Sequence, residues 1–232
     1  MKDSIYLKIK ESELYNRLRY KYSDLPFYIL KEFLERHHNK QFKDLVQNEL
    51  YQLIGANRTT FLPLEKFTLD MIPPTEIDQY FRMQKIHGFV HDQGAALLGG
   101  VSGHAGLFSN ANDIAKIMQM YLWNGSYGND QYIKSETIDL FNSCNFCDVD
   151  VRRGVGFDKP QLEDIGPTCG CISMNSFGHS GFTGTFTWAD PDEEIIYVFL
   201  SNRTYPSADN KSIIENNLRS DIQGLIYESI ED

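Results

Sequence analysis

A chain of 232 residues with a net charge of −10, 22 Lys and Arg against 32 Asp and Glu, has no surplus of cations for a phosphate backbone, which excludes nucleic acid as a partner. Its 41% hydrophobic and 13% aromatic content supports a packed core and argues against a disordered chain. The longest apolar runs, such as Ile195 to Leu200, are too short to span a bilayer, and Met1 to Ser4 is not followed by a signal-type apolar core.

Helices are predicted first. Apolar positions at Ile5, Tyr6, Ile9, Leu14 and Tyr15 predict a helix of modest quality over 3–18. Ser23 or Asp24 stands where it can cap a second helix, whose apolar face includes Phe27, Leu30, Phe33 and Leu34 and which stops near His38 and Asn39. A third amphipathic stretch carries Phe42, Leu45, Val46, Leu50 and Leu53 and ends at Gly55. Over 59–92 the period is lost and prolines stand at 63, 73 and 74, which predicts a long wrapped loop with short turns. The Gly- and Ala-dense run 94–106 permits close backbone approach. Asn110 or Asn112 then caps a strong helix through Ile114, Ile117, Met118, Tyr121 and Leu122, and Ser135 caps a short one.

After Arg153 the pattern changes. Residues 154–157, 176–180, 183–189 and 195–201 read as strands, Asp190-Pro191-Asp192 supplies a hairpin turn, and a closing helix covers about 210–229. The order predicts an α+β chain: a single domain with a mainly helical lobe over 1–150, then antiparallel strands and a C-terminal helix over 151–232.

Several residue groups have the chemistry for a site. A self-contained serine nucleophile needs a base within hydrogen-bond reach and a third group that orients the base. His179 is adjacent to Ser180 in a strand, so the two side chains point to opposite faces. Neither Gly178-His179-Ser180-Gly181-Phe182 nor Gly100-Val101-Ser102-Gly103-His104 completes a Gly-x-Ser-x-Gly elbow. Ser180 and Ser102 therefore read as structural serines, His91 and His104 as partners of loop backbone, and Asp92, Gly100 and Gly103 as loop-shaping residues. Arg152-Arg153 reads as a solvated or salt-bridged pair with some capacity for an acidic substrate. The four cysteines, Cys144, Cys147, Cys169 and Cys171, leave three outcomes open. They are a four-thiolate zinc site, for which the first spacing is right, a disulfide, and unpaired thiols, the commonest of the three.

Three segments then carry a resemblance: Tyr22-Ser23-Asp24 leading a helix, HDQGAALLGGVSGHAGLFSNANDIAKI over 91–117, and FGHSGFTGT over 177–185. Together they resemble the C-terminal two thirds of the beta-lactamase-like serine hydrolases, which include class C beta-lactamases, D-alanyl-D-alanine peptidases and related esterases. The chain is especially similar to the hydrolase modules that follow family 3 glycoside hydrolase domains in Bacteroidetes. The resemblance implies a truncated beta-lactamase-like fold, with a helical lobe and three main antiparallel strands packed by a C-terminal helix, lacking two N-terminal strands. It also implies acyl-enzyme chemistry on a peptide, ester or amide without a cofactor, typically outside the bacterial cytoplasm.

Position by position, Tyr22 corresponds to the family's proton-shuttling tyrosine and Asp24 to the asparagine of its Tyr-x-Asn motif. His179, Ser180 and Gly181 stand at its Lys-Thr-Gly strand, and the N–H of Phe182 is one oxyanion donor. Asp for Asn replaces a donor and acceptor with an acceptor, and His for Lys removes a permanent positive charge. The nucleophile motif itself, Ser-x-x-Lys, is missing: no serine in this chain is followed three residues later by lysine. By the resemblance that helix and two strands lie upstream of Met1, and the chain alone is expected to be inert. The alternatives are a binding or interaction module with a remnant cleft, and a zinc-supported structural domain.

One structural consequence needs no relative. Residues 194–200 form an almost unbroken apolar run, as in a strand covered on both faces, with a partner on one side only. An open apolar edge is a pairing template, so self-association through 195–200, or cover by a rearranged segment, is expected.

Overall fold

The computed structural model describes residues 2–15, 20–149, 151–162 and 166–230. Its two compact units are Met1–Leu53 with Asn57–Ser109, and Ile54–Ala56 with Asn110–Asp232.

In the first unit, α1 (Lys2–Lys10) is tied to α2 (Leu25–His38) by Lys2, which reaches Glu32 and Glu35 at 3.2 and 3.1 Å. The predicted first helix is thus shorter than 3–18: it ends at Lys10 and buries no residue, and 16–19 lie outside the described residues. Helix α2 starts and stops where its sequence says. The Ser23 hydroxyl accepts the Leu25 N–H at 3.2 Å, Pro26 fits the first turn, and Asn39 ends the helix in a left-handed conformation at φ 48°. Asp24 occupies the cap position without a side-chain cap bond. Helix α3 (Phe42–Val46) runs on into a π-turn over Gln47–Tyr51, so the third predicted helix is a composite.

The predicted loop over 59–92 is more ordered than its sequence suggests. It contains an antiparallel hairpin of β1 (Pro74–Asp78) and β2 (Gln84–His87). The hairpin is organised by charge more than by alternation. Buried Asp78 accepts the N–H groups of Tyr80, Phe81 and Arg82, and the Arg82 Nε at 2.9 Å. Arg82 also reaches Glu76 Oε1 at 2.7 Å and the carbonyls of Val90 and His91. Helix α4 (Gln93–Leu97) follows, capped by Asp92, whose Oδ1 accepts the Ala95 N–H at 2.7 Å.

In the second unit, α5 (Ala111–Leu122) begins at Asn110, whose side chain accepts the Asp113 N–H at 2.9 Å as predicted. A two-residue ladder, β3 (Ser126–Tyr127) with β4 (Asp130–Gln131), precedes α6 (Ser135–Asn142); Lys134, not Ser135, holds the cap position of α6. The main sheet is antiparallel in the order β5 (Phe177–Ser180), β6 (Phe186–Asp190), β7 (Ile195–Phe199). The predicted strand at 154–157 is absent. Gly154 lies so close to the Phe141 carbonyl that an added Cβ would sit 2.6 Å from it, and the segment is flanked by isolated bridges at Arg153 and Asp158. The predicted closing helix is two, α7 (Ser212–Glu215) and α8 (Leu218–Glu228), broken at Asn217 with φ 52°.

The sheet is covered on both faces. Phe186, Trp188 and Tyr197 pack with Ile172 and with Tyr227 of α8, joined by Ile195 and Phe199. On the other face Phe177, Ala189 and Ile196 pack against Met118 and Ile114 of α5. Each large side chain fully buried this way contributes about 1.5–3 kcal/mol. Strand β7 therefore has apolar groups on both faces, as the sequence predicts, and among the described residues it pairs with β6 alone.

The cysteines correct the expectation of unpaired thiols. Cys144 joins Cys147 and Cys169 joins Cys171, with Cα separations of 5.5 and 5.2 Å. These bonds occupy all four sulfurs, so the four-thiolate zinc arrangement is not the one formed. Among the described residues no helix is long and apolar enough to cross a membrane.

Candidate active site

The segment from β5 through its turn into β6 depends on glycines that allow contact. A Cβ on Gly178 would sit 2.2 Å from the Thr187 carbonyl and 2.4 Å from the Trp188 ring. Glycine thus lets the indole lie across β5, where its Nε1 donates to Ser176 Oγ at 2.9 Å. The turn closes through Gly181 N–H to the Thr185 carbonyl at 2.7 Å, with Gly184 at φ +101°. Phe182 projects from this turn, 63% exposed, with the Arg203 guanidinium 4.4 Å from its ring centre. Arg203 is itself fixed by the carbonyls of Ala208 and Asn210, both at 2.8 Å.

His179 is held from two sides. Its Nε2 lies 2.7 Å from Arg153 Nη2, and its Nδ1 lies 2.7 Å from the Ser180 carbonyl oxygen. A guanidinium can only donate, so Nε2 accepts and Nδ1 carries the proton given to Ser180 O. Arg153 also pairs with Asp158 at 2.6 Å, and Asp158 exchanges backbone bonds with Gly178. His179 is therefore not aimed at the Ser180 hydroxyl. It is one end of a His179–Arg153–Asp158 cluster beside the half-buried Ser180. The sequence reading missed this use of Arg153 because 26 residues separate the partners and no spacing rule joins them. Arg152 donates instead to the Pro160 carbonyl. Nearby Lys159 is buried and donates to the Asn175 carbonyl at 2.9 Å; burial, with the charge of Arg152, pulls its pKa down to about 8.

Tyr22 and Asp24 belong to the first unit, His179, Ser180, Gly181 and Phe182 to the second. Tyr22 is exposed and Asp24 half-buried, just ahead of α2. In the same unit His104, expected to bond loop backbone, bonds two side chains instead. His104 Nδ1 lies 3.0 Å from Ser102 Oγ, and its Nε2 lies 2.8 Å from Asp92 Oδ1. Ser102 thus has a base and an orienting carboxylate, but at 2% exposure its hydroxyl has no opening to a substrate carbonyl. The Asp92 carboxyl is pushed up by burial, but hydrogen bonds from His104 and the Ala95 N–H outweigh this and hold it below the usual carboxylate range. His91 lies 2.9 Å from Glu76. No group of three or more His, Cys, Asp or Glu side chains among the described residues is arranged to hold a metal ion.

Comparison with known proteins bears on the family and the fold. The family model described as Beta-lactamase matches residues 15–220. A protein of Escherichia coli K12 named "Putative D-alanyl-D-alanine carboxypeptidase" is 36% identical over 202 residues, covering 81% of this chain and 46% of that protein. A protein of the same name from Salmonella typhi is 34% identical over 208 residues, covering 84% and 48%. The chain thus spans about half the length of these relatives. Among solved structures, a beta-lactamase from Mycobacterium bovis superposes with a TM-score of 0.61 at 17% identity, covering 91% of this chain and 64% of that one. A penicillin binding protein from Bacillus halodurans does so with a TM-score of 0.55 at 14% identity, covering 86% and 56%. These likenesses show the shared fold, which the chain fills in part.

Proposed function

We propose, given that this chain belongs to the beta-lactamase family, that it is the tyrosine- and sheet-bearing portion of a serine hydrolase that works through an acyl-enzyme. The observation that carries this reading is a match over 15–220 in a chain where no serine is followed three residues on by lysine. In the complete enzyme a serine Oγ attacks the substrate carbonyl while its proton passes to Tyr22, which hands it to the leaving amine or alcohol. Water then cleaves the acyl-serine, releasing the acid and restoring the hydroxyl. The Phe182 N–H supports the negative oxygen of each tetrahedral intermediate, Ser180 orients the substrate, and Asp24 offers an acceptor near the tyrosine.

The substrate class we favour is a D-alanyl peptide ending in a carboxylate. The carboxypeptidase name of the relatives supports it, and so does Arg153, which brings a permanent positive charge next to the histidine that replaces the family's lysine. Alone, the chain is inert. A fluorophosphonate or penicillin probe should leave it unlabelled, and covalent labelling would overturn the reading. Combined with a segment of a relative that carries a Ser-x-x-Lys helix, hydrolysis should appear, and Tyr22→Phe should lower kcat by about a hundredfold or more.

A second reading, an interaction module, has its own observation in the β7 edge. We propose that the edge over 195–200 is filled by a second copy of the chain, because antiparallel pairing about Tyr197 sets Ile195 against Phe199 and Ile196 against Val198. Sedimentation should show a dimer, and a monodisperse monomer whose 195–200 amides exchange freely would sink this reading.

A further inference from the structure

The first turn of α2, which follows directly on Tyr22 and Asp24, is clasped by the Gly-rich run that carries Asp92, Ser102 and His104. Two glycines make the clasp sterically possible. A Cβ on Gly103 would sit 2.3 Å from the Phe27 carbonyl oxygen, and one on Gly94 would sit 1.8 Å from the Tyr28 hydroxyl. Between them the His104 ring stacks on Tyr28, with centroids 4.3 Å apart and planes at 16°. The ring has no rotational freedom left. Its Nε2 is bound to Asp92, its Nδ1 to Ser102, and its side chain is 5% exposed. Asp92 is anchored in turn by the Ala95 N–H at the start of α4.

We propose that Asp92, His104 and Ser102 form a positioning latch that fixes the first turn of α2, and through it the backbone that presents Tyr22 and Asp24; the functional part of this inference rests on the reading of Tyr22 as the proton shuttle. Asp92 orients His104, Ser102 holds its other nitrogen, the imidazole face sets the height of Tyr28, and Gly103 lets the loop close against the Phe27 carbonyl. The network looks like a catalytic triad because it uses the same pairings, hydroxyl to imidazole to carboxylate. It differs in the burial of its serine and in spending the imidazole face on an aromatic ring. Its role is to hold a neighbouring residue in place, and these three residues do not touch the reacting atoms.

The test uses the chain itself and needs no nucleophile. The amides of Phe27 and Tyr28 both bond to the Asp24 carbonyl, at 3.0 and 3.4 Å, and their hydrogen exchange reports the first turn directly. In His104→Ala they should exchange about tenfold or more faster, while the β1–β2 hairpin of the same unit stays within about twofold. Ser102→Ala should give a smaller rise at the same two amides and shift the His104 Nδ1 nitrogen resonance; it also serves if His104→Ala does not fold. Unchanged exchange at Phe27 and Tyr28 in the folded variant, or a uniform rise across the unit, overturns the latch. Tyr22→Phe separates the two ideas. It should leave this exchange unchanged, whereas retained hydrolysis by that variant in the reconstituted enzyme would sink the shuttle reading and leave the clasp of α2 standing.

Discussion

The tetrapeptides Gly103-His104-Ala105-Gly106 and Gly178-His179-Ser180-Gly181 differ by one residue, and the molecule uses them in contrasting ways. His104 is 5% exposed, stacked on a tyrosine and bonded through both nitrogens to side chains. His179 is 32% exposed and shares its nitrogens between a backbone carbonyl of its own strand and an arginine. In both, the glycine ahead of the histidine is required for space: Gly103 meets the backbone of a helix, Gly178 the backbone and indole of a strand. What separates the two is the surroundings. A loop folded against a helix encloses its histidine, whereas a strand beside a turn leaves one side open to solvent. The same local spelling therefore yields a buried clasp in one unit and a part-exposed strand end in the other.

The contrast is open to three tests, in descending order of effect. His104→Ala removes a stacked ring and leaves buried Ser102 and part-exposed Asp92 without their partner, so urea unfolding should show a loss of about 2–4 kcal/mol. His179→Ala should cost about 1 kcal/mol or less, because its site is part-solvated; equal losses would break the contrast. Gly103→Ala and Gly178→Ala should each cost about 1–3 kcal/mol through overpacking, and a tolerated alanine at either would show that the close approach is not needed there. The smallest effect is one of pH. The folded-state pKa of Asp92 is lowered, so its contribution to stability is fully present above the ordinary carboxylate value and is lost as pH falls through the folded one. Asp92→Asn should flatten the fall in stability on the acid side of the ordinary carboxylate range, measured by urea titration at a series of pH values.

Much of the fold was legible because its signals are local. Helical periodicity with caps located α2 and α5, and apolar runs bounded by Asp-Pro-Asp located β6 and β7. The misses share a physical cause, control by distant partners. The β1–β2 hairpin rests on Asp78 and Arg82, whose contacts reach Glu76, Val90 and His91, and nothing in the alternation of 74–87 announces it. The break at Asn217 is a single left-handed residue inside an otherwise helical pattern. The 154–157 segment has strand composition, but Gly154 is drawn against Phe141 and the ladder shrinks to bridges. At the candidate site the resemblance named Tyr22, Asp24 and His179 to Phe182 by motif, whereas the pairing of His179 with Arg153 and Asp158, and of Asp92 with His104, has no motif to announce it. Each depends on which side chain ends up opposite which, and chain spacing carries no record of that.

The pairing of the cysteines bears on how the chain matures. Four cysteines allow three connectivities, and the one found here joins residues three and two positions apart. Each sulfur has its partner within reach in the unfolded polypeptide, so no tertiary contact has to form before oxidation. Oxidative maturation of this chain is therefore a local reaction, free of the search among long loops that slows other cystine proteins. The rings close over so few residues that each restricts the unfolded ensemble by only about 2 kcal/mol.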